Sequence, residues 1–182
     1  MEITGKRVYL RAMEAEDMEM YREMMNDGEI SRQVVGWSFP VSQKEQSEWY
    51  NKAVFSADKR FTICLKENGK AVGMATLTDI DWVNRSAFHG IKLHPDCPKR
   101  ENIGTDAVMA LMEYAFCQLN LHRLDGAWLV SNTASAGLYK KCGWKEEGIK
   151  KEAVFRDGAY RDLAISGIRD VDYAAIRETL AW

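Results

Sequence analysis

The sequence predicts an α/β (α+β) protein in which a mixed β-sheet carries helices on both faces. Two pairs of strand-like segments meet at the dipeptides Asn68-Gly69 and Asp157-Gly158, which favour β-hairpins. Segments with helical spacing of apolar residues alternate with these strands. No linker, repeat or low-complexity stretch divides the 182 residues. We therefore expect a single domain over residues 1–182.

The N-terminal part predicts one strand and two helices. The strand covers residues 7–11, and helix-forming residues follow over 16–26, with Gly28 as a stop signal. Ser42 begins the second helix with a capping box, because Glu45 lies three residues further on. That helix is expected to end near residue 55.

The middle of the chain predicts three strands and a long helix. Residues 60–67 and 71–80 form the hairpin at Asn68-Gly69, where both central positions tolerate positive φ. A third strand, AFHGIKLH (87–94), ends before Pro95. A basic loop then leads into a helix over 104–120, which has apolar residues at helical spacing.

The C-terminal part predicts a strand, a short helix, a hairpin and a closing helix. The strand is RLDGAWLV (123–130), and Asn132 caps a helix that stops at Gly143. The strands of the second hairpin cover KEEGIKKEAVF and AYRDLAISGI, and Asp170 is expected to cap a last helix that ends in Trp182. The predicted order is β-α-α-β-β-β-α-β-α-β-β-α.

Composition excludes several function classes. The net charge of −2 does not favour binding to nucleic acid or to an anionic membrane. No segment has the length and apolarity of a signal peptide or a membrane span, so we expect a cytoplasmic protein. The four cysteines have no metal-ligand spacing, and we expect reduced thiols and no metal site.

Two segments indicate a family. They are KRENIGTDAVMALMEYAF (99–116) and NTASAGLYKKCGWKEEG (132–148), and FRDGAYRDLAISGI (155–168) adds to them. Together they make the chain resemble the GNAT acetyltransferases, particularly the branch of ribosomal-protein alanine and spermidine N-acetyltransferases. The resemblance implies a mostly antiparallel central sheet and acetyl-CoA as the cosubstrate.

The first segment is expected to bind the pyrophosphate of coenzyme A. The family pattern Gln/Arg-x-x-Gly-x-Gly/Ala places Lys99 at its first position, Asn102 at its first glycine and Gly104 at its last position. Asn102 departs from the pattern, but asparagine tolerates positive φ. Unpaired amides at a helix N-terminus favour an anion, although an ordinary β-to-α connection would look similar. The candidate binding residues are Lys99, Arg100, Glu101, Asn102, Ile103, Gly104 and Thr105.

The second segment is expected to contact the rest of the cofactor. Asn132, Ser135 and Tyr139 are spaced to share one helix face. The resemblance implies that Asn132 contacts the cofactor and that Tyr139 is the general acid for the departing thiolate. The alternative is that Asn132 is only an N-cap and Tyr139 a core aromatic residue.

The resemblance also implies a backbone amide near Leu93 that stabilises the charge developing on the thioester oxygen. Candidate bases for the amine are His89, three aspartates or a water chain. The aspartates are Asp79, Asp81 and Asp125.

We expect direct transfer of an acetyl group to a primary amine in a ternary complex. The acceptor could be a protein N-terminus, a polyamine, an amino sugar or another small amine. The alternative is a non-catalytic sensor or interaction module that binds acyl-CoA. The family resemblance suggests a possible homodimer through the C-terminal strands.

Overall fold

A computed structural model describes residues 2–36, 39–99 and 101–180. Within these ranges, eight strands form one sheet. They are β1 (Ile3–Thr4), β2 (Val8–Ala12), β3 (Lys59–Leu65), β4 (Ala71–Asp81), β5 (Ser86–Leu93), β6 (Arg123–Leu129), β7 (Lys145–Arg156) and β8 (Ala159–Arg169).

Six α-helices surround this sheet in the described part of the chain. They are α1 (Met18–Asn26), α2 (Gly28–Gln33), α3 (Gln43–Ala53), α4 (Ile103–Glu113), α5 (Thr133–Lys141) and α6 (Asp170–Thr179). A 3-10 turn precedes α1, and a π-helical segment, Tyr114–Gln118, extends α4. Among these helices, none is long and apolar enough to cross a membrane.

The strand order is β1-β2-β3-β4-β5-β6-β8-β7. Every neighbouring pair is antiparallel except β5 and β6, which are parallel. These two strands pair only from Ser86↔Arg123 to Phe88↔Asp125. Beyond Phe88, β5 continues for five residues without pairing to β6, so the sheet is split at its centre. The predicted mixed and mostly antiparallel sheet is confirmed.

Alternation along β4 divides the core between the two faces of the sheet. Ala75 and Leu77 belong to a large cluster that includes the buried side of α4. Met74 points the other way and packs with Met18 and Met24 of α1. Helices therefore cover both faces, as predicted, because successive side chains of a strand point to opposite sides.

Most predicted boundaries agree with the structure. The capping box at Ser42 is present, since the Glu45 amide donates to Ser42 Oγ at 3.2 Å and Glu45 Oε2 accepts from the Ser42 amide at 2.8 Å. At the second hairpin, Asp157 (φ 48°) and Gly158 (φ 73°) both have positive φ, as the dipeptide predicts.

Four expectations need correction. Gly28 does not end a helical region but begins α2, because the Asp27 side chain accepts hydrogen bonds from the amides of Glu29 and Ile30.

At the first hairpin only Gly69 has positive φ, since the turn is longer than two residues. The cap of α6 is Arg169, and Asp170 is the first residue of the helix. The short strand β1 was not predicted, and Trp182 lies outside the described residues.

Candidate active site

A cleft of about 610 Å³ opens where β5 separates from β6. One wall is formed by the end of β5 and the loop that follows it, and another by the first turn of α4. Residues of α5 and α2 complete the lining. The lining residues therefore come from both faces of the sheet beside the central split.

The unpaired edge of β5 supplies backbone donors to this cleft. The amide of His94 donates to Val72 O at 2.8 Å and so points toward β4. Because amides alternate along a strand, those of Leu93 and Ile91 point to the opposite edge, where β6 has separated. The amides of Leu93 and Ile91 therefore both lie on the edge of β5 that borders the cleft.

The N-terminus of α4 is left without a side-chain cap. Asn102 occupies the N-cap position with φ 59° and ψ 20°, in the left-handed region. This conformation is the one that the family's glycine position permits, and asparagine adopts it at modest cost. Asn102 Oδ1 instead accepts a hydrogen bond from Lys141 Nζ at 2.7 Å. The first amides of α4 therefore remain available to an anion.

Most of the candidate cofactor-binding residues line the cleft. These are Leu93, Lys99, Asn102, Ile103, Gly104, Thr105, Asn132 and Ser135. Glu101 does not line it, because its side chain pairs with Arg7, and its carbonyl oxygen accepts from Arg7 Nη1 at 3.2 Å. Arg100 lies outside the described residues.

Asn132 is confirmed as the N-cap of α5. Its Oδ1 accepts from the Ser135 amide at 2.9 Å. Its Nδ2 donates to the carbonyl oxygen of Gln33, at the end of α2, at 3.1 Å. The same side chain thus caps one helix and ties a second helix to it beside the cleft.

Tyr139 lies beneath the cleft rather than in its lining. Its side chain is only 5% exposed, and its hydroxyl lies 3.0 Å from Nδ1 of His89. The ring stacks on Trp128, with ring centroids 5.2 Å apart, and meets Trp144 edge-on. Because His89 directly follows the last β5–β6 pair, the phenol hydroxyl lies at the inner end of the split, which we call the apex.

His89 is not placed to take a proton from an amine in the cleft. Its imidazole is 1% exposed and does not line the cleft. Desolvation by burial lowers its pKa to about 3, so the ring is neutral and a poor proton acceptor at neutral pH. Its burial therefore argues against His89 among the candidate bases.

Comparisons with known proteins give the family. The family described as acetyltransferase (GNAT) domain matches residues 7–145. The chain belongs to the GNAT acetyltransferases. It is an N-acetyltransferase that uses acetyl-CoA as its cosubstrate.

Two relatives and one solved structure illustrate the similarity. The spermidine N(1)-acetyltransferase of Vibrio cholerae is 28% identical over 79% of this chain and 82% of its own length. The enzyme of that name from Escherichia coli K12 is 27% identical over 78% of this chain and 74% of its own length. A crystal structure of the Vibrio cholerae spermidine N-acetyltransferase with CoA and spermine superposes with a TM-score of 0.84 at 27% identity. It covers 92% of this chain and 98% of that one.

The aspartates considered as bases do not line the cleft of this acetyltransferase. Asp81 accepts hydrogen bonds from the amides of Val83 and Asn84 in a turn. Asp125 accepts from Arg123 Nε at 2.7 Å. Asp79 lies near the end of β4, also away from the cleft lining.

The structure adds cleft residues that sequence reasoning did not select. Ile30, Gln33 and Val34 line the cleft from α2 and the residue after it. They were missed because α2 itself was not predicted. Lys141 had a usable signal, because it follows Ala134 and Leu138 at helical spacing and all three residues line the cleft.

His94 and Lys92 also line the cleft, from the α1 side of the sheet. His94 accepts from the Asp96 amide through Nδ1 at 3.2 Å, and its Nε2 lies 3.4 Å from a carboxylate oxygen of Glu23 in α1. Burial lowers the pKa of Lys92. Alternation along β5 places these polar side chains opposite Ile91 and Leu93, which pack with the α4 face.

Proposed function

We propose that acetyl-CoA binds with its pyrophosphate at the N-terminus of α4 and its pantetheine arm along the unpaired edge of β5. The observation that carries this proposal is the uncapped first turn of α4, which opens into the cleft. The amides of Ile103, Gly104 and Thr105 would donate to phosphate oxygens. Lys99 and Lys141, which also line the cleft, would add positive charge.

The geometry favours Ile91 over Leu93 as the amide that bonds the thioester oxygen. Strands rise about 3.3 Å per residue, so Ile91 lies roughly 7 Å from His89 along β5, and Leu93 roughly 13 Å. The phenol of Tyr139 is bonded to His89. A thioester close enough to exchange a proton with that phenol would therefore meet the Ile91 amide, while the Leu93 amide would bond the pantetheine arm.

We propose that Tyr139 is the general acid. The phenol is 5% exposed, so the thioester must reach the apex of the split for a proton to pass between them. A protonated acid is needed at this point, and the phenol supplies it; burial raises the pKa of Tyr139, which keeps the phenol protonated but also makes it a weaker acid. The amine would attack the thioester carbon directly, and the departing sulfur would take the phenolic proton.

Removal of the Tyr139 hydroxyl tests this role. Tyr139→Phe is expected to lower kcat roughly 100-fold, because general acid catalysis typically contributes 10²–10⁴-fold. CoA affinity should stay within about twofold of wild type, since the ring packing is kept. Free thiol release with acetyl-CoA gives the rate, and calorimetry gives the affinity. An unchanged kcat would remove Tyr139 from the mechanism.

The acceptor that we propose is a polyamine. Support comes from the relatives named spermidine N(1)-acetyltransferases and from the carboxylate of Glu23 beside the cleft. A panel of spermidine, spermine, a peptide with an N-terminal alanine and an amino sugar would be assayed by thiol release. Spermidine or spermine should give the highest kcat/KM. Tight CoA binding without thiol release for any amine would instead favour a non-catalytic binding module.

We also propose that residues 1–182 form one domain that associates with further copies. The sheet order supports one domain, because β8, which lies beyond the matched residues 7–145, is inserted between β6 and β7. β7 is an exposed edge strand that carries the exposed side chain of Phe155, and the exposed Tyr160 of β8 lies beside it. A structure of the Vibrio cholerae enzyme is described as dodecameric. Light scattering after size exclusion should give a mass above that of one chain, and a monomer would contradict association.

A cytoplasmic location is part of the same proposal. The cysteines are free, and Cys64, Cys97 and Cys142 are buried. Buried free thiols fit a reducing compartment. Cell fractionation would test the location, and recovery in a membrane or extracellular fraction would contradict it.

A further inference from the structure

One nitrogen of His89 has no hydrogen-bond partner among the described residues, although the ring is almost fully buried. Nδ1 lies 3.0 Å from the Tyr139 hydroxyl, whereas Nε2 is buried and unpaired. An unpaired buried polar atom costs free energy, so its presence calls for a physical reason. The pair lies at the apex of the split, directly below the proposed position of the thioester.

Aromatic rings hold this pair in place. Trp144 lies 5.3 Å from the His89 ring and 4.9 Å from the Tyr139 ring, measured between centroids. The indole Nε1 of Trp144 donates to Met112 Sδ at 3.2 Å, which fixes its orientation. Gly126 leaves the space for this indole, because an added Cβ would lie 3.0 Å from it. Apolar packing thus aligns the imidazole with the phenol and excludes water from the pair.

The two neutral tautomers of His89 have different consequences for Tyr139. If Nε2 carries the proton, Nδ1 is an acceptor, and the phenolic proton is directed into the imidazole and away from the cleft. If Nδ1 carries the proton, it donates to the phenol oxygen. The phenolic O–H can then turn toward the cleft, and the unpaired Nε2 is only an acceptor without a donor.

We propose that His89 is a positioning residue that donates its Nδ1–H to the oxygen of Tyr139 and stabilises the phenolate formed during transfer. This proposal rests on the proposed role of Tyr139 as the general acid. It assigns to His89 a role that does not require it to gain or lose a proton. The low basicity of the buried imidazole suits that role, because the neutral ring does not take up a second proton during the reaction.

The proton balance is as follows. The amine nitrogen attacks the thioester carbon, the carbon–sulfur bond breaks, and the sulfur takes the proton of the Tyr139 hydroxyl. The resulting phenolate keeps the hydrogen bond from His89 Nδ1–H, which strengthens because its acceptor is now charged. The acetylated nitrogen loses its extra proton to water, and Tyr139 regains a proton from solvent after the products leave.

Two amide substitutions form a matched test. The side-chain amide of His89→Asn can place a donor where Nδ1 lies, whereas that of His89→Gln reaches the position of Nε2. Both variants bury a polar amide of similar kind. We expect His89→Asn to keep kcat within about threefold of wild type, and His89→Gln to lower it roughly tenfold or more. Equal losses of kcat in the two variants, or a larger loss of kcat in His89→Asn than in His89→Gln, would overturn the proposal.

A double-substitution cycle separates positioning from general support of the fold. If His89 acts only through the phenol, His89→Gln should not lower kcat further in the Tyr139→Phe background. CoA affinity should be similar in all four proteins. A further loss of roughly tenfold in the Tyr139→Phe background would show that His89 acts on the reaction in another way and would overturn the proposal.

The tautomer can be measured without any assay of activity. The chain has three histidines, so two-bond ¹H–¹⁵N correlation spectra can resolve each ring, and the His89 signals are identified by their loss in His89→Asn. We expect the Nδ1–H tautomer for His89, and the Nε2–H tautomer would overturn the proposal. An Nδ1–H tautomer in a protein whose kcat is unchanged by Tyr139→Phe would refute the general-acid role proposed above, while the hydrogen bond itself would stand.

Discussion

The N-termini of α4 and α5 both line the cleft, and both begin after an asparagine, yet the two asparagines behave differently. Asn132 has φ −84° and its side chain caps the Ser135 amide. Asn102 has φ 59°, and its side chain points to Lys141 instead of its own helix. One helix end is closed by its cap, and the other stays open toward the cleft.

The difference shows that backbone conformation decides whether an N-terminal residue caps a helix. A capping asparagine usually has extended backbone angles, from which its side chain can turn back to the N2 or N3 amide. In the left-handed region the side chain of Asn102 is directed elsewhere, and the amides of α4 remain for a ligand. The same residue type can therefore stabilise a helix or leave it as an anion site.

The largest effect is expected from a negative charge at the open helix end. Thr105→Glu should weaken CoA binding roughly 100-fold, because a carboxylate near the diphosphate repels it. Thermal stability should not fall, since an acidic residue in a first turn favours the helix dipole. Calorimetric titration with CoA measures the affinity.

Two controls sharpen this prediction. Thr105→Gln has nearly the size of the glutamate without its charge and should retain most of the affinity. Thr133→Glu places the same charge in the first turn of α5, at an exposed residue outside the cleft lining, and should change affinity less than threefold. Equal losses for Thr105→Glu and Thr133→Glu would mean that the two helix ends do not differ as described.

A smaller effect is expected when Asn102 is replaced. Asn102→Ala should lower the free energy of unfolding by roughly 1–2 kcal/mol, because alanine tolerates the left-handed region poorly. Asn102→Gly adopts that region readily and should unfold at or above the wild-type midpoint. Denaturant unfolding of the two variants gives the comparison. Equal stability of the Asn102→Ala and Asn102→Gly variants would contradict the left-handed conformation at this residue.

The smallest effect is expected at the closed helix end. Asn132→Ala should cost about 1 kcal/mol of stability through the lost cap. Asn132→Asp keeps the acceptor and should restore most of that loss. The measurement is the urea midpoint of each variant. An Asn132→Ala variant with the same urea midpoint as wild type would show that the cap and the contact with Gln33 contribute nothing measurable to stability.

Local sequence signals predicted much of the fold. The turn at Asp157-Gly158, the capping box at Ser42 and the stop at Gly143 all depend on residues close in sequence, and each is present. Asn102 was expected to hold the glycine position of the loop, and its positive φ agrees. These features depend on interactions between residues close in the sequence, so the local sequence is enough to predict them.

The remaining features depend on contacts between distant residues. α2 is six residues long, and Arg156 of β7 and Asn132 bond carbonyl oxygens at its end, so its own sequence gives little signal. The burial of His89 against Tyr139, 50 residues away, could not be predicted from the local sequence of its strand.

A crystal structure of this chain with CoA would test the account most directly. The diphosphate oxygens should lie about 3 Å from the amides of Ile103, Gly104 and Thr105, with the thiol at the apex beside the Tyr139 hydroxyl. A diphosphate bound away from the first turn of α4, or a thiol that stops at the mouth of the cleft, would contradict it.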